Sequence, residues 1–207
     1  MIYAGSMVSG SVSSSAMPID ASNRPNDRSG YSVYAGVLFA SAEQIKAVDG
    51  LRAHVRSKRA ALPAHVTVMG TFCDVKSLDA VKQSFTNAIK GHGPAKVTFD
   101  GAGMKLHSTW AGYDAVKSPE LVRLHKSLVA AVGPLVTDAY GYAEHGYAPH
   151  LTLWQECPPE NQQIAEKLGR ELRLGEGFTA DSVALVGRAG TAYGGKWVTV
   201  QTFPLRA

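Results

Sequence analysis

Two short segments of this chain carry the same pattern of chemistry-bearing residues. The first runs Pro63, Ala64, His65, Val66, Thr67, Val68, and the second runs Ala148, Pro149, His150, Leu151, Thr152, Leu153. Each has a proline close before a histidine, then an apolar residue, a threonine and another apolar residue. Strand side chains alternate faces with period two. On a strand, His65 and Thr67 therefore share one face, with Val66 and Val68 behind them. His150 and Thr152 share a face in the same manner, with Leu151 and Leu153 behind. Two imidazoles facing one cleft suit phosphoryl transfer by general acid–base catalysis, because a histidine with its ordinary pKa of about 6.5 can serve in either form near neutrality. One ring takes a proton from the attacking hydroxyl or water, and the other returns one to the leaving oxygen. The two threonine hydroxyls would donate to the non-bridging phosphate oxygens, where charge gathers in the transition state. This chemistry calls for no metal and no cofactor.

The surrounding sequence supplies elements to hold the two segments. Residues 1–29 are rich in Ser, Gly and Asn and read as a mobile tail, leaving 30–207 as a single bilobal domain. Residues 31–40 read as a buried strand. Ser41 with Gln44 three residues on is a capping-box start for a helix to about Ala60. Val48, Leu51 and Val55 recur along that helix at helical spacing. Arg52, Arg56 and Arg59 line another face, read as solvated rather than as a nucleic-acid contact. Ser77 opens a second helix to about Lys90, and two strands follow over 95–107 and 109–116. Ser118 and Pro119 open a third helix, which stops at Gly133 and Pro134. A loop dense in Gly, Tyr and His precedes the second His-x-Thr strand. A helix to about Leu174 and two final strands, 178–187 and 196–205, complete the chain. The order is β-α-β-α-β and then β-α-β-α-β-β, an internal repeat at the level of architecture. Two similar lobes facing each other would bring the two motifs together.

The stretch from Leu62 to Phe72 and the stretch from Tyr147 to Leu153 resemble the paired H-x-T/S-x motifs of the 2H phosphoesterase superfamily. Within it, the likeness is to the 2′-5′ RNA ligase-like and cyclic phosphodiesterase members, and it runs from about Tyr31 to Leu205. The resemblance implies an α+β fold of two pseudo-symmetric lobes, each with a largely antiparallel sheet and outer helices, around a central cleft. It implies a metal-independent site in which His65, Thr67, His150 and Thr152 hold the four motif positions. It also implies hydrolysis of a 2′,3′-cyclic phosphate or a related nucleotide or RNA-end phosphodiester, or 2′-5′ ligation of RNA ends.

Other residues are candidates for binding substrate. Tyr142 and Tyr147 precede the second motif and could stack a base. By strict alternation Trp154 shares the His150 and Thr152 face. Arg188, at the end of the penultimate strand, could meet a phosphate. Against these stand plainer readings, packing for the tyrosines and solvent exposure for the cation.

Composition narrows the classes. Nearly half the residues are apolar, and the formal net charge of +4 is mild, as suits a soluble protein with a phosphate-bearing small ligand or RNA end as substrate. No run approaches the ~18 apolar residues of a membrane span, so no membrane partner is expected. Neither a secretory leader nor a disulfide framework is evident, since Cys73 and Cys157 read as free thiols. A cytoplasmic monomer is expected. Two further readings remain. A nucleotide- or RNA-binding module of low activity would not need a matched acid and base. A zinc hydrolase would need ligand spacings that the sequence lacks.

Overall fold

The computed structural model describes residues 27–57, 62–107, 110–139, 146–190 and 195–206. Among them are nine strands: β1 (Tyr31–Phe39), β2 (His65–Cys73), β3 (Ala95–Leu106), β4 (Trp110–Ala115), β5 (Thr137–Asp138), β6 (His150–Gln155), β7 (Gly177–Ala180), β8 (Ser182–Ala189) and β9 (Lys196–Pro204). Four α-helices lie between them: α1 (Ala42–His54), α2 (Leu78–Ala88), α3 (Pro119–Val132) and α4 (Gln162–Glu171).

The helix starts follow their local chemistry. Ser41 accepts from the Gln44 main-chain N–H while the Gln44 side chain accepts from Ser41 N–H, a reciprocal capping box. Ser77 and Ser118 cap α2 and α3 in the same position, and Pro119 fills the first turn of α3. The helix expected to reach Ala60 stops sooner. Val55 caps α1, and Arg56 turns into the left-handed region with φ 52°, which no helix continues through.

All ladders are antiparallel. Strand order is β7-β3-β4-β6-β2-β1-β8-β9, with the short β5 on β2. The α+β fold with two pseudo-symmetric halves is therefore present, each half of four main strands meeting at the β6–β2 seam. The halves do not coincide with the halves of the sequence. β3 leaves the first repeat to pair with β4 of the second, and β8 leaves the second to pair with β1 of the first. The first repeat thus lends β3 to the other lobe, and the second lends β8 together with β9. The single strand expected over 178–187 is two, because β7 lies on β3 while β8 lies on β1.

The helices cover one face of the sheet. One core joins Val48 and Leu51 of α1, Val81 and Phe85 of α2, and Leu121, Leu124 and Leu128 of α3 to Leu38, Val66, Val68, Leu151 and Leu153 of the strands. The four apolar motif residues, Val66, Val68, Leu151 and Leu153, are fully buried. Each contributes roughly 1.5–3 kcal/mol of burial, which pins the register and so holds the histidines on the opposite face.

The described chain opens with a turn that the sequence assigned to the tail. The Asp27 carboxylate accepts from the N–H groups of Ser29 and Tyr31 and from the Tyr34 hydroxyl at 2.7 Å. Residues 1–26 lie outside the described residues. No helix among the described residues is long and apolar enough to cross a membrane.

Candidate active site

The site lies on the helix-free face at the seam. Val66 of β2 is paired with Leu151 of β6. One step either way puts His65 opposite Thr152 and Thr67 opposite His150. By register the two histidines are diagonal neighbours across the seam, near enough that a charge on His150 acts on His65. All four side chains are partly exposed while their strand neighbours are buried.

Both rings are oriented by the same local device. His65 Nδ1 lies 2.8 Å from the Pro63 carbonyl, and His150 Nδ1 lies 2.9 Å from the Ala148 carbonyl. A carbonyl only accepts, so each Nδ1 carries the proton and donates. Each Nε2 is left outside this contact. The proline near each histidine helps hold the chain extended so that the carbonyl two residues back can reach the ring.

The rows of the sheet identify the neighbours. Val37 of β1 pairs with Thr67, and Phe39 with His65, whose ring meets the Phe39 ring edge-on at 6.5 Å. On the other flank Asp114 of β4 pairs with His150, and Gly112 with Thr152. Lys105 of β3 bridges Asp114 at 2.7 Å and Asp100 at 2.8 Å. The Trp110 ring lies 4.6 Å from the His150 ring, and its other neighbour is the stacked His107 ring at 3.8 Å. A Cβ at Gly112 would strike the Leu151 carbonyl and the Trp110 ring, so glycine is what lets this indole lie beside the motif strand. His65 thus has an apolar flank, whereas His150 has an aromatic face and a carboxylate row.

The His65 pKa is lowered to about 4. Packing around the ring is the main cause. The hydrogen bond to Pro63 opposes it, and the charges of Arg52 and His150 add to the lowering.

The candidate binding residues fare differently. Trp154 is not on the His150 face. Gly112 pairs with Thr152 but Ala111 pairs with Trp154, so Leu153 is an extra residue, a bulge that resets the alternation. Trp154 turns into the core, packed on Gly169 of α4 and on Met104. Tyr147 stacks on His125 of α3 at 4.2 Å, its hydroxyl buried without a partner among the described residues. Burial raises its pKa. It packs against the core rather than presenting a ring face at the seam. Arg188 pairs with Val33 of β1 and its Nε donates to Ser32 Oγ at 3.2 Å. That row is four β1 residues from Val37, about 13 Å along the strand. Tyr142 lies outside the described residues.

Sequence reasoning missed Arg52. Far from being solvated, it is buried, and its guanidinium donates to the carbonyls of Leu153, Leu62 and Thr152, each at 2.8 Å. The signal was available: residue 52 lies four after Val48 and three before Val55, on the apolar face of the helix. Arg56 is exposed as expected, and Arg59 lies outside the described residues. Trp110, Phe39 and Asp114 were missed because cross-strand register decides their place, and register is not visible in one sequence.

The 2′-5′ RNA ligase superfamily model matches residues 39–192. The chain belongs to that superfamily, the 2H phosphoesterases, whose enzymes act on phosphodiesters. No curated protein matches. Among solved structures, TT0787 of Thermus thermophilus is similar at 17% identity and a TM-score of 0.62, covering 84% of this chain and 98% of that one. E. coli LigT complexed with NADP+ is similar at 13% identity and 0.54, covering 83% and 96%. The same protein complexed with 3′-AMP is similar at 14% and 0.53, covering 84% and 97%. At these identities the likeness establishes the fold.

Proposed function

We propose that this chain hydrolyses a 2′,3′-cyclic phosphate, or a related cyclic phosphodiester at a nucleotide or RNA end, with His65, Thr67, His150 and Thr152 as its catalytic residues. The observation that carries this reading is the matched pair of imidazoles. Each is locked through Nδ1 to a carbonyl two residues back, and each keeps Nε2 for the same face across one seam.

The difference between the two surroundings supports an assignment of roles. His65, with its lowered pKa, is neutral at physiological pH and is the base. His150, beside the Trp110 ring, is then the acid of the pair. Water attacks phosphorus as His65 Nε2 takes its proton. The bond from phosphorus to one ribose oxygen breaks, and that oxygen takes the proton from His150 Nε2. A phosphomonoester and a free ribose hydroxyl result. Thr67 and Thr152 donate to the non-bridging oxygens, and the two imidazoles supply both proton transfers. LigT has been captured with 3′-AMP, which is the chemical product of opening a 2′,3′-cyclic phosphate at the 2′ oxygen.

The test is a substrate panel of 2′,3′-cyclic mononucleotides, ADP-ribose 1″,2″-cyclic phosphate and 2′-5′-linked oligonucleotides, with the phosphate position of each product determined. Turnover of a cyclic phosphate that depends on both histidines supports the proposal. Joining or cleavage of 2′-5′ bonds without cyclic phosphate hydrolysis replaces it with RNA ligation, which uses the same four residues.

A further inference from the structure

Beyond the seam pair, β2 and β6 part, and side chains from helices take the main-chain groups this exposes. Each motif strand has a bulge at the same motif position, and β2 has a second register shift further along, between Met69 and Phe72. On β1 the step from Gly36 to Val37 spans Met69 to Thr67, so Val68 is extra. On β4 the step from Gly112 to Ala111 spans Thr152 to Trp154, so Leu153 is extra. Both residues immediately follow the motif threonine. Both bulge carbonyls are captured from the helix side. Arg52 Nε of α1 donates to Leu153 O at 2.8 Å, and His125 Nδ1 of α3 donates to Val68 O at 2.9 Å. The helices are equivalent by repeat, and each reaches the motif strand of the other repeat.

Arg52 does more than its counterpart. The same guanidinium binds Thr152 O and also Leu62 O, just ahead of the carbonyl that orients His65. One planar group thereby ties the backbones of both motifs, where direct pairing is registered at a single pair. A fixed five-donor fork suits three divergent carbonyls, and a lysine ammonium does not reproduce it. Its carboxylate partner is Asp49 at 3.2 Å, which is half-exposed.

We infer that Arg52 is a positioning residue for the chemistry proposed above: it sets the spacing of the two motif histidines through their backbones and keeps a buried positive charge behind them. His125 sets the matching bulge on β2. The inference rests on the proposed acid–base reading for its kinetic consequence, but the geometric and electrostatic part stands on its own. The charges that act on His65 are Arg52 from α1 and His150 from β6, both cationic or potentially so, and both oppose its protonation.

The experiment compares Arg52→Lys and Arg52→Met with the parent protein, after each is shown to be folded by circular dichroism and a cooperative melt. Two readouts are taken. The first is the NMR titration of the His65 ring, which needs no activity. The second is kcat and KM on whichever cyclic phosphate the parent turns over. Arg52→Met should move the His65 titration up by a small step, the share that the Arg52 charge adds to the larger effect of packing, whereas Arg52→Lys, which keeps the charge, should leave it in place. Both should lower kcat, by about 10²-fold as a displacement near 1 Å does, with KM little changed. A folded Arg52→Met protein with an unmoved His65 titration and unchanged kcat overturns the inference. If Arg52→Met does not fold, Arg52→Lys carries the test: a kcat equal to the parent's overturns the positioning role. A parent with no phosphodiesterase activity overturns the proposed function while the titration still judges Arg52.

Discussion

Val66 sits directly opposite Leu151 across the seam between β2 and β6. The twofold relation between the repeats therefore passes through a pair of residues that do no chemistry. Both are fully buried. Their worth is positional, since a slip of one residue would turn both His/Thr sets into the core. From that pair, each histidine is one step away and faces the other motif's threonine.

In the proposed mechanism the histidines act as a unit. His65→Ala and His150→Ala should each lower turnover of a cyclic phosphate by roughly 10²–10⁴, because one proton transfer is then left to water. The double variant should fall little below the worse single one. Steady-state kinetics on the three proteins decides it. Losses that multiply in the double variant would show two independent groups rather than one acid–base pair.

In the proposed mechanism the threonines act on charge rather than on protons. Thr67→Val and Thr152→Val should each cost about 1–3 kcal/mol of transition-state stabilisation, the worth of a hydrogen bond to a charged group. The loss should appear in kcat more than in KM, since the charge on the phosphate oxygens grows toward the transition state. An equal rise in KM with kcat intact would make them ground-state binding residues.

The motif positions were legible in the sequence because period two and burial act over four residues. Ser41, Ser77 and Ser118 were legible as caps for the same local reason. Strand exchange between the repeats was not, because pairing of β3 with β4 and of β8 with β1 is decided by contacts far apart in the chain. Trp154 was misplaced by one uncounted residue. A bulge at Leu153 leaves no mark in composition, yet it moves an indole from one face of a sheet to the other.

That indole gives a test of structure separate from chemistry. α4 comes so close to Trp154 that a Cβ on Gly169 would lie 2.6 Å from the ring, and it would also strike Met104. Gly169→Ala gains about 1 kcal/mol of helix propensity but forces a rigid ring to move, at about 1–3 kcal/mol. The net change should be destabilising. Trp154→Ala should cost more, about 3–5 kcal/mol. Urea unfolding measures both. A Trp154 variant with parent stability but a raised KM would return the residue to the cleft.

Asp27 is tied to the folded body through Tyr34. Tyr34 is fully buried, and its hydroxyl donates to the Asp27 carboxylate at 2.7 Å. Burial and this carboxylate together hold the phenol well above its usual pKa. Asp27→Ala should lose about 1–3 kcal/mol, the cost of a buried donor left without its acceptor. Removal of residues 1–26 alone keeps that bond and should leave the melting temperature near the parent's. Equal melting of the Asp27→Ala protein and the parent would return residues 27–29 to the tail.

His65 should be visible in both activity and stability as pH falls. The proposed mechanism needs the ring neutral, so kcat/KM should hold down to an acid limb at about 4, where protonation removes the base. Stability has its own sign. The unfolded ring takes a proton near its ordinary 6.5, while the folded ring resists until about 4. Between those values the unfolded state holds more protons, so this group's contribution rises with pH and is lost as pH falls through the window. Above it neither state is protonated at His65, and the slope from this residue vanishes. Other groups also titrate there, so the difference between proteins is what counts. Urea unfolding of the parent and of His65→Gln at several pH values from 7 to 4 should show a steeper acid loss in the parent. Parallel slopes, or an acid limb of kcat/KM near 6.5, would show that the folded ring titrates normally and would remove the reason for naming His65 the base.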